Sequence, residues 1–396
     1  MIPIKNILSG VSDYFKRTDK LFWLLTVTVS LYGLVLIASQ QRGGEVNFLK
    51  TQIMAVCIGY IAAVFISVID YNFIAKLWWV LAAVSLVLTL MVFFIGIQVA
   101  GTDDVGWIRL PGGITFQPSE LTKICFIVTF SKHLAFLEEK NRIHSFFWVM
   151  TLVLHALVPI VLIHLQGDDG AALVFAFMFI IMSFAGGVQL RYFIILFVLM
   201  LIAVPFAWSF VLNDDQKNRL AVLFGSDDSM MQTYGWQQYQ GKVSIASGGI
   251  YGKGIFSGPR VARDIVPYQE NDFIFTVAGE ELGFVGCIAI LLLFVVLLLK
   301  IVRTSVSAKN RLGKSICIGY FSLLATQVVV NLGMVLGLLP VIGITLPFFS
   351  SGGSSVACLY LGVGLVQSVY MHPTDDDDDT VKVKRNKTIR GHIFTS

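Results

Sequence analysis

Charge is what this sequence has least of. Only 14% of its 396 residues are Asp, Glu, Lys or Arg, against 56% hydrophobic residues. A soluble domain carries roughly 25% charged residues. The polar surface needed to cover two or three soluble domains is therefore missing. Cysteine is scarce as well. Cys57, Cys125, Cys287, Cys317 and Cys358 all fall in apolar stretches and form no CxxC, which excludes a disulfide scaffold and a zinc ribbon. The 35 glycines follow no period, which excludes a collagen. What remains is an all-α polytopic membrane protein.

A membrane-spanning helix needs about 20 mostly apolar residues. Charge-free runs cover 21–41, 51–69, 77–102, 143–167, 170–190, 192–213, 282–299 and 315–374. The last is long enough for two spans separated by the Pro/Gly/Ser-rich turn 340–355. Residues 119–137 form a further span despite Lys123 and Lys132, and the eighth span begins near Phe273 with Glu280 and Glu281 inside it. The expectation is ten transmembrane helices over 21–371, with a long loop, 213–271, between the seventh and eighth. Basic residues mark the cytoplasmic side of a membrane protein. Lys5, Lys16, Arg17, Lys20, Lys76, Lys132, Lys140, Arg142, Arg191, Lys300, Arg303, Lys309, Arg311 and Lys314 share one side with the basic tail, against Arg42, Lys50 and Arg109 in the short loops opposite. Both termini are thus expected inside and the long loop outside. Residues 1–20 carry several charges ahead of a full span and read as no cleavable signal. The spacing of Ile4, Leu8, Val11 and Phe15 fits a short amphipathic helix on the inner face or a frayed terminus. Residues 372–396, with the acidic run 375–379 followed by five basic residues, read as a solvated cytoplasmic tail.

Polar residues inside or at the edge of a membrane are functional candidates, and four groups gather toward the outer face. Pro118, Ser119 and Glu120 read as a helix start, with Glu120 and Lys123 spaced to pair on one face, as catalytic apparatus or as a structural ion pair. The turn Gln166-Gly167-Asp168-Asp169-Gly170 suits a cation or a base, or is a solvated reversal. The long loop holds Arg219, Gln240 and Ser247-Gly248-Gly249-Ile250-Tyr251-Gly252-Lys253-Gly254, in which backbone amides and Lys253 suit an anion such as a lipid diphosphate. Asp272 closes that loop where the eighth helix should start. It suits a base beside a bound phosphate ester, or a helix cap.

Taken together the motifs resemble the SEDS family (shape, elongation, division and sporulation), the RodA/FtsW-type peptidoglycan glycosyltransferases, over about residues 20–370. They are Trp107-Ile-Arg109 followed by Phe-Gln-Pro-Ser-Glu120-Leu, the glycine-rich run around Lys253, and Asp272-Phe-Ile-Phe followed by Gly-Glu-Glu-Leu-Gly. The series ends with Asn331-Leu-Gly-Met, Leu346-Pro-Phe-Phe-Ser350 and Gly352-Gly-Ser354-Ser355. Departures from the family pattern are Gly106, Gly167, Asp169, Glu270, Asn271 and Ser351.

The resemblance implies an inverting glycosyltransferase that polymerises lipid II into β-1,4 glycan outside the bacterial cytoplasmic membrane, with a class B penicillin-binding protein transpeptidase as partner. It puts the catalytic aspartate at Asp272. Trp107, Arg109, Glu120, Lys123, Asp168, Arg219, Gln240, Lys253, Ser350 and Ser354 become expected substrate contacts. A divalent cation, Mg or Mn, is an open cofactor, and no nucleic-acid partner is expected. A lipid II flippase and a non-catalytic scaffold of the division or elongation machinery stay as alternatives.

Overall fold

The computed structural model describes residues 12–41, 48–98, 104–109, 115–210, 212–225 and 233–373. Most of the expected N-terminal helix and the tail from 374 onward lie outside them. Residues 12–17, at the end of that N-terminal stretch, are helical.

Four apolar helices come first: α1 (Lys20–Gln40), α2 (Phe48–Val68), the short α3 (Tyr71–Lys76) and α4 (Trp78–Ile95). A small antiparallel meander follows, β1 (Gly96–Ile97), β2 (Trp107–Arg109) and β3 (Thr115–Phe116), with Ile108 paired to Gly96 on one side and Phe116 on the other. The apolar pattern gave no sign of it. Then come α5 (Pro118–Glu139), α6 (Phe146–His164), α7 (Asp169–Ala185) and α8 (Leu190–Phe210). The long loop is not bare, because it contains α9 (Asp214–Ala221) and α10 (Trp236–Ser247). The chain closes with α11 (Ile274–Ser307), α12 (Arg311–Val335) and α13 (Gly353–Met371).

Side-chain caps set many of the starts. Asp19, Asp70, Asp168, Asn213 and Asn310 each accept a backbone N–H of the first turn of their helix, which satisfies donors that no helix can satisfy itself. Pro118 occupies the first turn of α5, where its missing N–H is harmless.

Among the described residues, eight helices are long and apolar enough to cross a membrane. α5 carries more charge, and α7 is shorter. The interior of the bundle is built on α5, α7, α12 and α13; the most apolar stretches of α12 and α13 are 78% and 72% buried, and that of α8 not at all. Around this core Phe65, Phe94 and Ile202 are 69%, 85% and 67% exposed. So much outward apolar surface suits lipid and not water.

The two ends of the bundle differ. At one, the Asp19 backbone exchanges two hydrogen bonds with the Gln367 amide, and Lys300 Nζ reaches Asp19 Oδ2 at 2.6 Å. The start of α1 and the end of α13 therefore share this end. At the other end meet the meander, the turn around Asp168, the long loop and the α12–α13 connection.

Candidate active site

The long loop is attached to the bundle by a backbone exchange. α11 is broken at Gly283 (φ 66°, ψ −160°). In an unbroken helix the N–H groups of Phe284 and Val285 would reach the carbonyls of Glu280 and Glu281. Here they donate instead to Gly249 and Ile250, at 2.9 and 3.1 Å. The two freed carbonyls accept from Lys253 and Gly254, at 3.0 and 2.9 Å. The loop thus takes the place of the missing helical partners on each side, and these four backbone groups are paired despite the break. Glycine is required at this approach, since a Cβ on Gly248 would lie 2.0 Å from the Gly279 carbonyl oxygen and one on Gly252 2.2 Å from that of Glu281.

This corrects the reading of 247–254 as an anion cradle. The amides of Gly252, Lys253 and Gly254 are spent inside the protein. The Lys253 ammonium is committed as well, to Glu280 at 3.1 Å and Ser247 Oγ at 2.9 Å. Glu280 also accepts from the N–H groups of Arg260 and Val261. Its neighbour Glu281 accepts from Phe256, Gly258 and the Ser39 hydroxyl. These two buried carboxylates fasten the loop to α11. Gln240 is likewise taken up within the loop, where its side-chain oxygen accepts from Arg260.

Asp272 lies immediately before α11. The residue at the cap position is Phe273, with no side-chain cap bond, so the capping alternative fails. No described residue donates to the Asp272 carboxylate. Desolvation in its crevice, then the charges of Glu270 and Asp168, raise its pKa to about 7.

Asp168 starts α7. Its Oδ1 accepts from the Ala171 N–H at 2.8 Å and its Oδ2 from Gln117 Nε2 at 2.9 Å, with the Ser119 hydroxyl at 3.4 Å. Desolvation first, and the nearby Asp104 next, raise it also to about 7. Asp104 is itself raised by desolvation, against hydrogen bonds from the Gly106 N–H and the Trp107 side chain. Trp107 therefore acts on an acid here. Asp104 and Glu270 were not among the sequence candidates; an Asp three residues before the Trp-Ile-Arg run was the available signal for the first.

A strap, residues 337–346, connects these pieces. Gln238 of α10 donates to the carbonyls of Met334 and Leu339, and Arg219 of α9 to that of Val341. Gly170, two residues after Asp168, packs so closely on the strap that a Cβ would lie 2.4 Å from the Ile342 carbonyl oxygen. Ser350 Oγ accepts from the Leu346 N–H within the following turn, and Ser354 Oγ from the Gln117 N–H. Both serines shape the wall.

Arg109 and Arg219 keep exposed side chains at this end, whereas Lys123 and Glu120 are paired at 2.8 Å inside α5. Lys123 is 2% exposed. Removing one partner strands the other charge in the core, a loss of about 3–5 kcal/mol. Lys123→Met should therefore lower the thermal unfolding temperature sharply, and adding Glu120→Gln should restore most of it. An unchanged unfolding temperature for the single variant would show that the pair is not structural.

Among the described residues no group of three or more His, Cys, Asp or Glu stands together to cage a metal ion. Magnesium ordinarily takes one or two carboxylates and completes its shell with substrate phosphates and water. Asp168 already spends both oxygens on Ala171, Gln117 and Ser119, so the described carboxylates offer no ready-made place for it.

Comparison with known proteins agrees with this architecture. Residues 17–375 match the family described as FtsW/RodA/SpoVE, cell cycle protein. A probable peptidoglycan glycosyltransferase FtsW of Geobacter metallireducens is 33% identical over 89% of this chain and 95% of its own. The peptidoglycan glycosyltransferase MrdB of Escherichia coli is 28% identical over 89% and 94%. Among solved structures, the rod shape determining protein RodA of Thermus thermophilus aligns with a TM-score of 0.67 and 26% identity, covering 91% of this chain and 98% of its own. A chain of a peptidoglycan synthase complex aligns with a TM-score of 0.76 and 27% identity, covering 89% and 97%. The broken helix, the anchored loop and the paired carboxylates thus belong to a chain that is a member of the FtsW/RodA/SpoVE family.

Proposed function

We propose that this multi-pass membrane protein, a peptidoglycan glycosyltransferase of cell-wall synthesis, polymerises lipid II at the outer face of the bacterial cytoplasmic membrane with Asp272 as general base. The observation that carries the reading is the state of Asp272. It is a carboxylate with no donor among the described residues, desolvated and raised to about 7, and a base is most effective when its pKa lies near the working pH. A non-catalytic scaffold gives that arrangement no task, and the crossing assay below separates this reading from transport.

The chemistry needs little more. Asp272 takes the proton of the acceptor 4-hydroxyl as that oxygen attacks C1 of the donor sugar. The bond from C1 to the lipid diphosphate breaks, and the diphosphate leaves with the electron pair. Attack opposite the leaving group inverts an α-linked donor to a β-1,4 glycan. The diphosphate is a competent leaving group once its charge is met, and Arg109 and Arg219 are exposed cations at this end. Asp168, fixed by Ala171 and Gln117, holds the second carboxylate in place.

The topology that goes with this reading has ten spans, α5 and α7 included, with both termini inside. The basic residues at the Asp19–Gln367 end support that orientation. The likeness to a peptidoglycan synthase complex supports a transpeptidase partner, a class B penicillin-binding protein.

The test is glycan formation from lipid II by the purified chain with its transpeptidase partner, in place of any other polymerase. Its rate should fall on the acid side with a midpoint near pH 7, since protonation removes the base. Lipid II crossing protein-only vesicles without polymer formation would instead favour transport. A rate independent of pH down to the ordinary carboxylate range would remove Asp272 as base.

A further inference from the structure

Asp272 is held by a residue that the site reading leaves without a role. Asn331, in α12, is fully buried. Its side-chain N–H group donates to the Asp272 carbonyl at 2.8 Å and to the Ile344 carbonyl at 2.7 Å. One amide therefore joins the last turn before α11 to the strap. Across the junction a Cβ on Gly343 (φ 72°) would lie 3.8 Å from Asp272 Oδ2, and the Ile342 carbonyl receives Gly170 of the Asp168 turn. The strap is thus a common wall for both carboxylates, and Asn331 fixes its distance from Asp272. The Asn331 Oδ1 has no hydrogen-bond partner among the described residues. An unpaired amide oxygen in a core is unfavourable, so packing alone does not account for an asparagine here.

We infer that Asn331 is a positioning residue, whose amide, through the Asp272 backbone carbonyl, holds the segment bearing the Asp272 carboxylate against the strap and opposite the Asp168 turn. The inference rests on Asp272 being the base. The titratable groups around Asp272 are Glu270 on its own segment and Asp168 at the start of α7, with Asp104 behind Asp168. Arg219 of α9 meets the strap at Val341. Lys242 of α10 lies beside Gly337, where a Cβ would come within 2.6 Å of its Nζ. α12 itself offers no titratable group within two turns of Asn331.

The experiment follows lipid II polymerisation by the full-length chain with its transpeptidase partner, across the acid limb and at limiting and saturating substrate. Asn331→Leu removes both donors at similar volume. A misplacement of about 1 Å in a reacting group lowers rates about 100-fold, so kcat should fall about 10- to 100-fold, with KM changed less than about threefold. The acid limb should move to lower pH, because an untethered Asp272 regains water. Asn331→Ser, which keeps one donor on a shorter side chain, should give an intermediate kcat and an intermediate limb; it also serves if the leucine variant does not fold. A wild-type limb and kcat per folded molecule in either variant would overturn the inference, whatever happened to thermal stability. Asp272→Asn in the same series separates the two readings. If it polymerises normally, the base assignment has failed. If it is inactive while the Asn331 variants keep the wild-type limb, the positioning role alone has failed.

Discussion

Asp272→Asn should abolish glycan polymerisation while leaving a folded, and at neutral pH more stable, protein. The substitution keeps shape and volume but removes the carboxylate assigned to accept the proton of the acceptor hydroxyl. Loss of a general base lowers rates by about 10²–10⁴-fold, which in a gel of glycan products is no visible polymer. The stability side follows from the same desolvation. The folded protein raises the Asp272 pKa from its ordinary value of 3.8 to about 7, so the folded state holds this proton more tightly than the unfolded chain does. Its ionisation then opposes folding progressively between those two pH values and fully above the upper one. Asparagine is neutral throughout. Its gain in unfolding temperature over the native protein should be absent at pH below about 4, grow through the window and level off above about 7. Loss of both activity and stability at neutral pH would instead mark Asp272 as a structural residue. A stable variant with native polymer yield would remove the base assignment.

The sequence reveals the helices far better than the way they meet. Apolar runs of membrane-spanning length are a property of each segment alone, so α1, α2, α4, α6 and α8 follow from composition. α5 could be recognised despite Lys123 because an acid sits one turn before it, and the two charges do pair. Asp272, at the boundary between a polar loop and an apolar run, was conspicuous for the same local reason.

What was hidden depends on pairs of distant segments. The exchange between 249–254 and the break in α11 is made by backbone groups, which every residue has. Its only trace is glycine, and a glycine-rich loop reads equally well as an anion cradle. Asp104 matters through proximity to Asp168, 64 residues further along the chain, and no spacing rule reaches that far; Glu270, two residues before Asp272, was visible as a departure from the family pattern but not as a charge acting on the base. The wall formed by the strap is legible only once Gly170 is seen against Ile342.

The exchange at the α11 break also carries the second large effect, separable by two glycines of one loop. Gly249 (φ 59°) and Gly252 (φ 78°) both occupy the left-handed region. An alanine there costs about 1–2 kcal/mol in backbone strain alone. A Cβ on Gly249 meets nothing within 4 Å, whereas one on Gly252 would lie 2.2 Å from the Glu281 carbonyl oxygen. To relieve that contact the loop must withdraw from α11. The four hydrogen bonds that join 249–254 to 280–285 then break within a protein interior, each leaving groups whose burial unpaired costs about 1–3 kcal/mol. The Glu280 and Glu281 carboxylates would lose the amides of 256–261 at the same time. Gly252→Ala should therefore destabilise by about 4 kcal/mol or more, expose the segment 253–271 to limited proteolysis and eliminate polymerisation, because Asp272 is carried at the end of that segment. Gly249→Ala should stay folded, resist the protease and retain most of its activity. Equal, mild effects in unfolding and proteolysis would show that the loop does not depend on the break in α11.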